Sequence, residues 1–90
     1  MFEILYHDEV VKKDIPKLSA DWRDKIRSSI EAKLTTQPEI YGKPLRRSLK
    51  HYRKLRVGDY RVIFRIEKQQ VKIFVIQHRS VVYSNTKKRI

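Results

Sequence analysis

Around Gly58-Asp59 the chain alternates with a period of two. Leu55 and Val57 before the pair, and Tyr60, Val62, Phe64 and Ile66 after it, occupy every second position. Such alternation marks strands with one buried face, and a Gly-Asp link between two such runs is a tight hairpin signal. Residues 52–57 and 60–66 are therefore expected to pair as antiparallel strands. Residues 67–70 make a second turn. Residues 71–77, apolar at Val71, Ile73, Phe74, Val75 and Ile76, read as a third strand that is central and covered on both sides.

Upstream the period changes. Residues 2–6 are a short apolar run that reads as a strand. Asp8 can cap a helix using Val11, Ile15 and Leu18, which Pro16 ends or kinks near Ile15. Ser19 can cap a second helix in which Trp22, Ile26, Ile30 and Leu34 lie four apart, a stripe that belongs to a core. Thr35, Thr36 and Pro38 stop it. Residues 37–50, with Pro38, Gly42 and Pro44, read as a connecting loop, and residues 78–90 as a short basic tail. The order β-α-α-β-β-β predicts one α+β domain over residues 1–90, with two N-terminal helices packed on one face of an antiparallel sheet.

The hairpin register is specific. With Gly58-Asp59 as the loop, Val57 faces Tyr60, Arg56 faces Arg61, Leu55 faces Val62 and Lys54 faces Ile63. Leu55, Val57, Tyr60, Val62, Phe64 and Ile66 then share the face toward the helices. Lys54, Arg56, Arg61 and Arg65 share the other, joined across the second turn by Lys72, Phe74, Ile76 and His78. Arg56 opposite Arg61 is an unfavourable cross-strand pair, and no nearby acid in the sequence neutralises it. A bound anion resolves it, either a phosphate or an acidic partner, and Arg suits bidentate phosphate contacts.

Charge supports that view. The 90 residues carry 22 Lys+Arg and 10 Asp+Glu, a formal charge of +12. Residues 1–42 hold seven basic and eight acidic residues, whereas residues 43–90 hold fifteen and two. From Lys43 to Arg65 nine cations accompany one acid, Asp59, with Tyr52, Tyr60 and Phe64 interleaved. That is the electrostatic footprint of nucleic-acid binding. A membrane surface fits less well, because the basic segment reads as strands and not as an amphipathic helix. The absence of Cys excludes disulfides, thiolate metal sites and a Cys nucleophile. The scattered His7, His51 and His78 do not suggest a zinc site. No metal or cofactor is expected, no apolar run has the length of a membrane span, and a cytoplasmic location is expected.

The block Leu55-Arg-Val-Gly-Asp-Tyr-Arg-Val-Ile-Phe64 and the ending His78-Arg-Ser-Val-Val-Tyr83 resemble the RelE/ParE toxin superfamily of type II toxin–antitoxin modules. Element order and length agree over nearly the whole chain. RelE-like members are metal-independent endoribonucleases that cleave mRNA in the ribosomal A site; ParE-like members poison DNA gyrase. The resemblance implies catalytic roles for Lys54, Arg61, Arg79 and Tyr83. RelE-like toxins carry two lysines on the first hairpin strand; Lys54 matches one and the other falls at Tyr52, with Arg53 or Arg56 as electrostatic substitutes. ParE-like members tend to lack the full set, so Tyr83 with His78-Arg79 favours RNA cleavage. The resemblance also implies an acidic antitoxin that wraps the toxin, mRNA and the 70S ribosome as targets, and operator DNA contacted through the antitoxin.

Metal-free RNA cleavage requires activating a 2′-OH, stabilising a pentacoordinate phosphate and protonating the leaving oxygen. A cluster of cations serves the second task, usually the largest contribution. Arg56 and Arg61 would clamp the phosphate and Lys54 would sit near the nucleophile. Lys50, Arg53 and Arg65 add phosphate contacts. A phenol titrates near 10 when unperturbed, so Tyr83 acts as base only where cations favour its phenolate; alternatively it stacks on a base. His78 is an acid/base candidate or a structural residue at a strand end. Arg79 binds the leaving-group phosphate or the ribosome. Lys87, Lys88 and Arg89 read as a flexible tail on rRNA. A gyrase inhibitor, a catalytically inactive RelE-fold toxin and an rRNA-binding accessory protein are the alternatives.

Overall fold

The computed structural model describes residues 1–45, 49 and 51–90. Strand β1 spans Glu3–Tyr6. Helical turns follow from Asp8, wide over Val10–Asp14 and tight over Ile15–Lys17, where Pro16 sits. His7, and not Asp8, supplies the starting acceptor, its Nδ1 receiving the Glu9 amide at 3.1 Å. Helix α1 spans Ala20–Ser29, and the Ser19 Oγ accepts the Trp22 amide at 3.3 Å, as the capping pattern predicts.

The four-residue stripe of α1 has a geometric consequence. On a regular helix each step of four overshoots by about 40°. From Ile30 to Leu34 the helix widens to a π-type turn, which turns less per residue and keeps the stripe on the core. Ile26, Ile30 and Leu34 are buried, and Trp22 packs at the margin.

The expected loop over residues 37–50 contains structure. Pro38–Tyr41 forms a short helix, α2, and Lys43–Pro44 a two-residue strand, β2. Gly42 between them permits a close approach: a Cβ there would lie 2.2 Å from Cζ of Phe64. Strands β3 (Arg53–Val57), β4 (Tyr60–Glu67) and β5 (Gln70–His78) follow. Gly58 takes φ 58° in the first hairpin loop.

The sheet order is β1-β5-β4-β3-β2. Every neighbouring pair is antiparallel except β1 with β5, which is parallel. The α+β class stands, but the sheet is mixed, because β1 pairs with the last strand across a long excursion that lets the chain return in the same direction. The hairpin register matches the four expected pairs.

Two expectations fail downstream. Between Ile63 and Phe64 the β4–β5 register slips: Ile63 faces Val75 and Phe64 faces Ile73, leaving Phe74 as the extra residue of a bulge. The bulge reverses side-chain parity beyond it. Ile76 therefore joins the helix-side core and His78 aligns with Tyr60, so neither lies on the basic face. The tail is also not flexible: Val82–Arg89 forms helix α3. It packs on the sheet face opposite α1, where Val82 joins Leu49, Tyr52, Ile63 and Val75 in a second buried cluster.

Candidate active site

The basic face is assembled from β2, β3, β4 and α3. Arg56 and Arg61 are Cα partners in the β3–β4 ladder, and Lys54 lies two residues before Arg56 on the same side. Across β2–β3, Lys43 faces Lys54. Lys43 stands in a two-residue strand with Pro44, too short to carry a periodic signal, so its place beside Lys54 escapes sequence reasoning. Among the described residues no carboxylate forms an ion pair with Lys43, Lys54, Arg56 or Arg61.

Helix α3 brings Tyr83 onto this patch. Lys54 Nζ lies 5.6 Å from the centroid of the Tyr83 ring, a cation–π contact worth about 0.5–1 kcal/mol at an exposed site. Tyr83 is 36% exposed, so the ring meets both the lysine and solvent. Arg61 is partly engaged: its Nη1 donates to the Gly58 and Tyr60 carbonyls, each at 2.9 Å. Those bonds draw the Arg61 guanidinium toward the hairpin loop. Nε and Nη2 have no protein acceptor among the described residues, which leaves one guanidinium edge for an anion.

The other candidates separate into distinct places. Arg79 stands beyond β5 at the hairpin tip; its amide donates to the Asp59 carbonyl at 2.8 Å, and its Nε lies 3.9 Å from Asp59 Oδ1. Its side chain is 63% exposed. His78 packs edge-on to Tyr60, ring centroids 5.7 Å apart, and its Nδ1 accepts the Ser80 amide at 3.2 Å and contacts Ser80 Oγ at 2.9 Å. That ring closes a turn on the helix side of the sheet. Arg53 also points to the helix side, donating to the Gly42 and Glu39 carbonyls at 2.9 and 3.3 Å. Arg65 is on the basic face but is ion-paired with Glu67 and lies 5.5 Å from the Tyr52 and Phe74 ring centroids. Lys87 and Lys88 are exposed on α3. Lys50 lies outside the described residues. Lys54, Arg56, Arg61 and Tyr83 are thus brought together, Arg79 borders the hairpin, and His78, Arg53 and Arg65 serve other contacts.

The small mixed sheet thus carries helices on both faces, and beside α3 it presents Lys54, Arg56 and Arg61 without carboxylate partners among the described residues. The model for the ParE toxin of type II toxin–antitoxin systems, parDE, matches residues 5–83, and the chain belongs to that family. The toxin–antitoxin complex RelBE2 of Mycobacterium tuberculosis is similar at 28% identity and TM-score 0.80, covering 87% of this chain and 98% of that one. The isolated Escherichia coli RelE toxin shares the fold at 20% identity and TM-score 0.71, over 99% and 98%. So does the RelB–RelE complex of Methanococcus jannaschii, at 20% identity and TM-score 0.67, over 90% and 96%. No curated protein sequence matches the chain.

Proposed function

We propose that this toxin is a ribosome-dependent endoribonuclease that cleaves mRNA in the A site. The observation that carries the reading is Tyr83 over Lys54 beside the Arg56–Arg61 pair. Arg56 and the free edge of Arg61 hold the scissile phosphate and stabilise its added charge. Lys54 holds the attacking 2′-oxygen and Tyr83 beside one another. Tyr83 takes the 2′-OH proton or stacks on the adjacent base; the 2′-oxygen bonds to phosphorus as the P–O5′ bond breaks, leaving a 2′,3′-cyclic phosphate and a 5′-oxygen that takes its proton from solvent. Arg79 contacts the flanking phosphate or the ribosome. Lys87 and Lys88 add long-range attraction to RNA. A cognate acidic antitoxin covers this cationic face and links the pair to operator DNA, and the toxin acts in the cytoplasm.

Programmed ribosomes mixed with purified toxin and mapped by primer extension test this reading. New 5′ ends within the A-site codon are expected, and Tyr83→Phe should remove them while leaving circular dichroism unchanged. Intact message throughout would overturn it. The match to the ParE family model favours a second reading, gyrase inhibition; a block of supercoiling by the same preparation, with message intact, selects it.

A further inference from the structure

Helix α3 carries Tyr83 but has few means of its own to hold its place. It has eight residues, and no side chain caps its start. A helix of that length is marginal alone and takes its stability from packing. Its inward stripe is Val82, Asn85, Thr86 and Arg89, at helical spacing. Val82 and Thr86 are fully buried. Tyr83 lies beside this stripe, so a modest rotation of α3 would carry the ring off Lys54.

The polar half of the stripe converges on one group. Asp14 is 3% exposed. Arg89 grips its carboxylate with both terminal nitrogens, Nη1 to Oδ2 at 2.7 Å and Nη2 to Oδ1 at 3.1 Å. Gln77 Nε2 donates to Oδ1 at 3.0 Å, and the Gln77 Oε1 accepts Asn85 Nδ2 at 2.6 Å. The Ile76 amide donates to Oδ2 at 2.9 Å, and Arg89 Nη1 also donates to the Phe74 carbonyl at 2.8 Å. Strand β1 pairs with β5 only as far as Ile73; beyond it, Asp14 and Arg89 occupy the vacated edge. Gln77 is also the Cα partner of Arg61, so one carboxylate reaches both β5, beside Arg61, and α3, which carries Tyr83.

We infer that Asp14 is a positioning residue: by clamping Arg89 and Gln77 it sets the rotation of α3 and holds Tyr83 over Lys54. It acts from the sheet edge and contacts none of the reacting groups. The catalytic consequence rests on the function proposed above; the structural consequence does not.

The test compares Arg89→Ala, Asp14→Asn and the conservative Arg89→Lys in the full chain. Proton NMR reads the ring-current shift of the Lys54 ε-methylene and the amide resonances of α3 against those of Val62 and Ile63 in the core, and amide exchange reads the protection of α3. Arg89→Ala and Asp14→Asn should abolish the Lys54 shift and lower α3 protection at least about tenfold, with the resonance positions of the Val62 and Ile63 core amides unchanged. Cleavage on programmed ribosomes should fall about 100-fold, the order expected for a misplaced reacting group. Arg89→Lys should retain the shift and recover part of the rate. An unchanged Lys54 shift in the first two variants overturns the inference. Displacement of the Val62 and Ile63 amide resonances as large as that of α3 also overturns it, since the pair would then set the packing of the whole fold. If the wild type cuts no message, the proposed function falls and the Lys54 shift still decides the role of Asp14.

Discussion

The two faces of one sheet do different work. Toward the helices, Leu55, Val62, Phe64 and Ile73 close against Val10, Ile26, Ile30 and Leu34, all at most 2% exposed. On the opposite face Leu49, Tyr52, Ile63 and Val75 close under Val82. The hairpin end of that face keeps Lys54, Arg56 and Arg61 open and without carboxylate partners among the described residues. Neighbouring residues of β4 thus belong to opposite economies. Phe64 has an aromatic ring fitted against Gly42, while Arg61, three residues earlier, has little apolar burial to lose. A small chain can hold a repulsive cationic surface because the reverse of the same strands supplies the cohesion.

The largest effect should come from breaking the closed face. Phe64→Ala removes a fully buried ring whose space Gly42 cannot fill, and should cost about 3–5 kcal/mol. That is a large share of the roughly 5–15 kcal/mol available to a small domain. Arg61→Ala should lie within about 0.5 kcal/mol of wild type. Urea unfolding of the two variants checks the division. Comparable destabilisation at both positions would show that the cationic face is part of the scaffold.

A smaller effect of opposite sign should come from the open face. Arg56→Gln removes one member of the like-charged pair. It should raise stability by about 0.2–1 kcal/mol at low salt, with the gain shrinking as salt screens the repulsion. The same variant should bind an RNA oligonucleotide more weakly, with a salt slope shallower by about one. Unchanged stability would mean that Arg61's bonds to the loop carbonyls hold the two guanidinium groups far enough apart for solvent to screen them.

The closed face was largely legible in the sequence. Period-two alternation about Gly58-Asp59 specified the β3–β4 register, including Arg56 opposite Arg61, and the Trp22–Leu34 stripe specified the helix that covers it. The open face was less so. The bulge at Phe74 carries no local signal, since Phe74 and Val75 are both apolar and either could continue the alternation. One unpaired residue sufficed to move His78 from the basic face to the helix side. Helix α3 was hidden because Val82 is its one buried apolar residue and its hold on the sheet is polar: Asp14 and Arg89 lie 75 positions apart. The resemblance to known toxins supplied Lys54, Arg61 and Tyr83 as candidates, but only the packing of α3 brings the tyrosine to the lysine. Lys43 was counted in the basic run but not placed beside Lys54, because its strand has two residues.

The smallest effect lies where the open face turns acidic. Glu67 pairs with Lys72 at 2.7 Å and with Arg65. The Lys72 hydrogen bond, with the charges of Arg65 and Lys72, holds its carboxyl below the usual carboxylate range, against a weaker opposing effect of burial. The fold therefore favours the ionised form. Its contribution is present above the unfolded carboxylate pKa, about 4.3, and is lost as pH falls through the lower folded value. Wild type should exceed Glu67→Gln slightly in stability at pH 7, and the gap should narrow as pH falls from about 5. The variant should also free Arg65 as a further cation on this face and tighten RNA binding at neutral pH. Urea titrations across that range and a binding isotherm at pH 7 read the two effects. A gap that did not narrow as the carboxylate takes up its proton would mean that Glu67 contributes by packing, and the boundary between the cohesive and cationic parts of this face would then be steric.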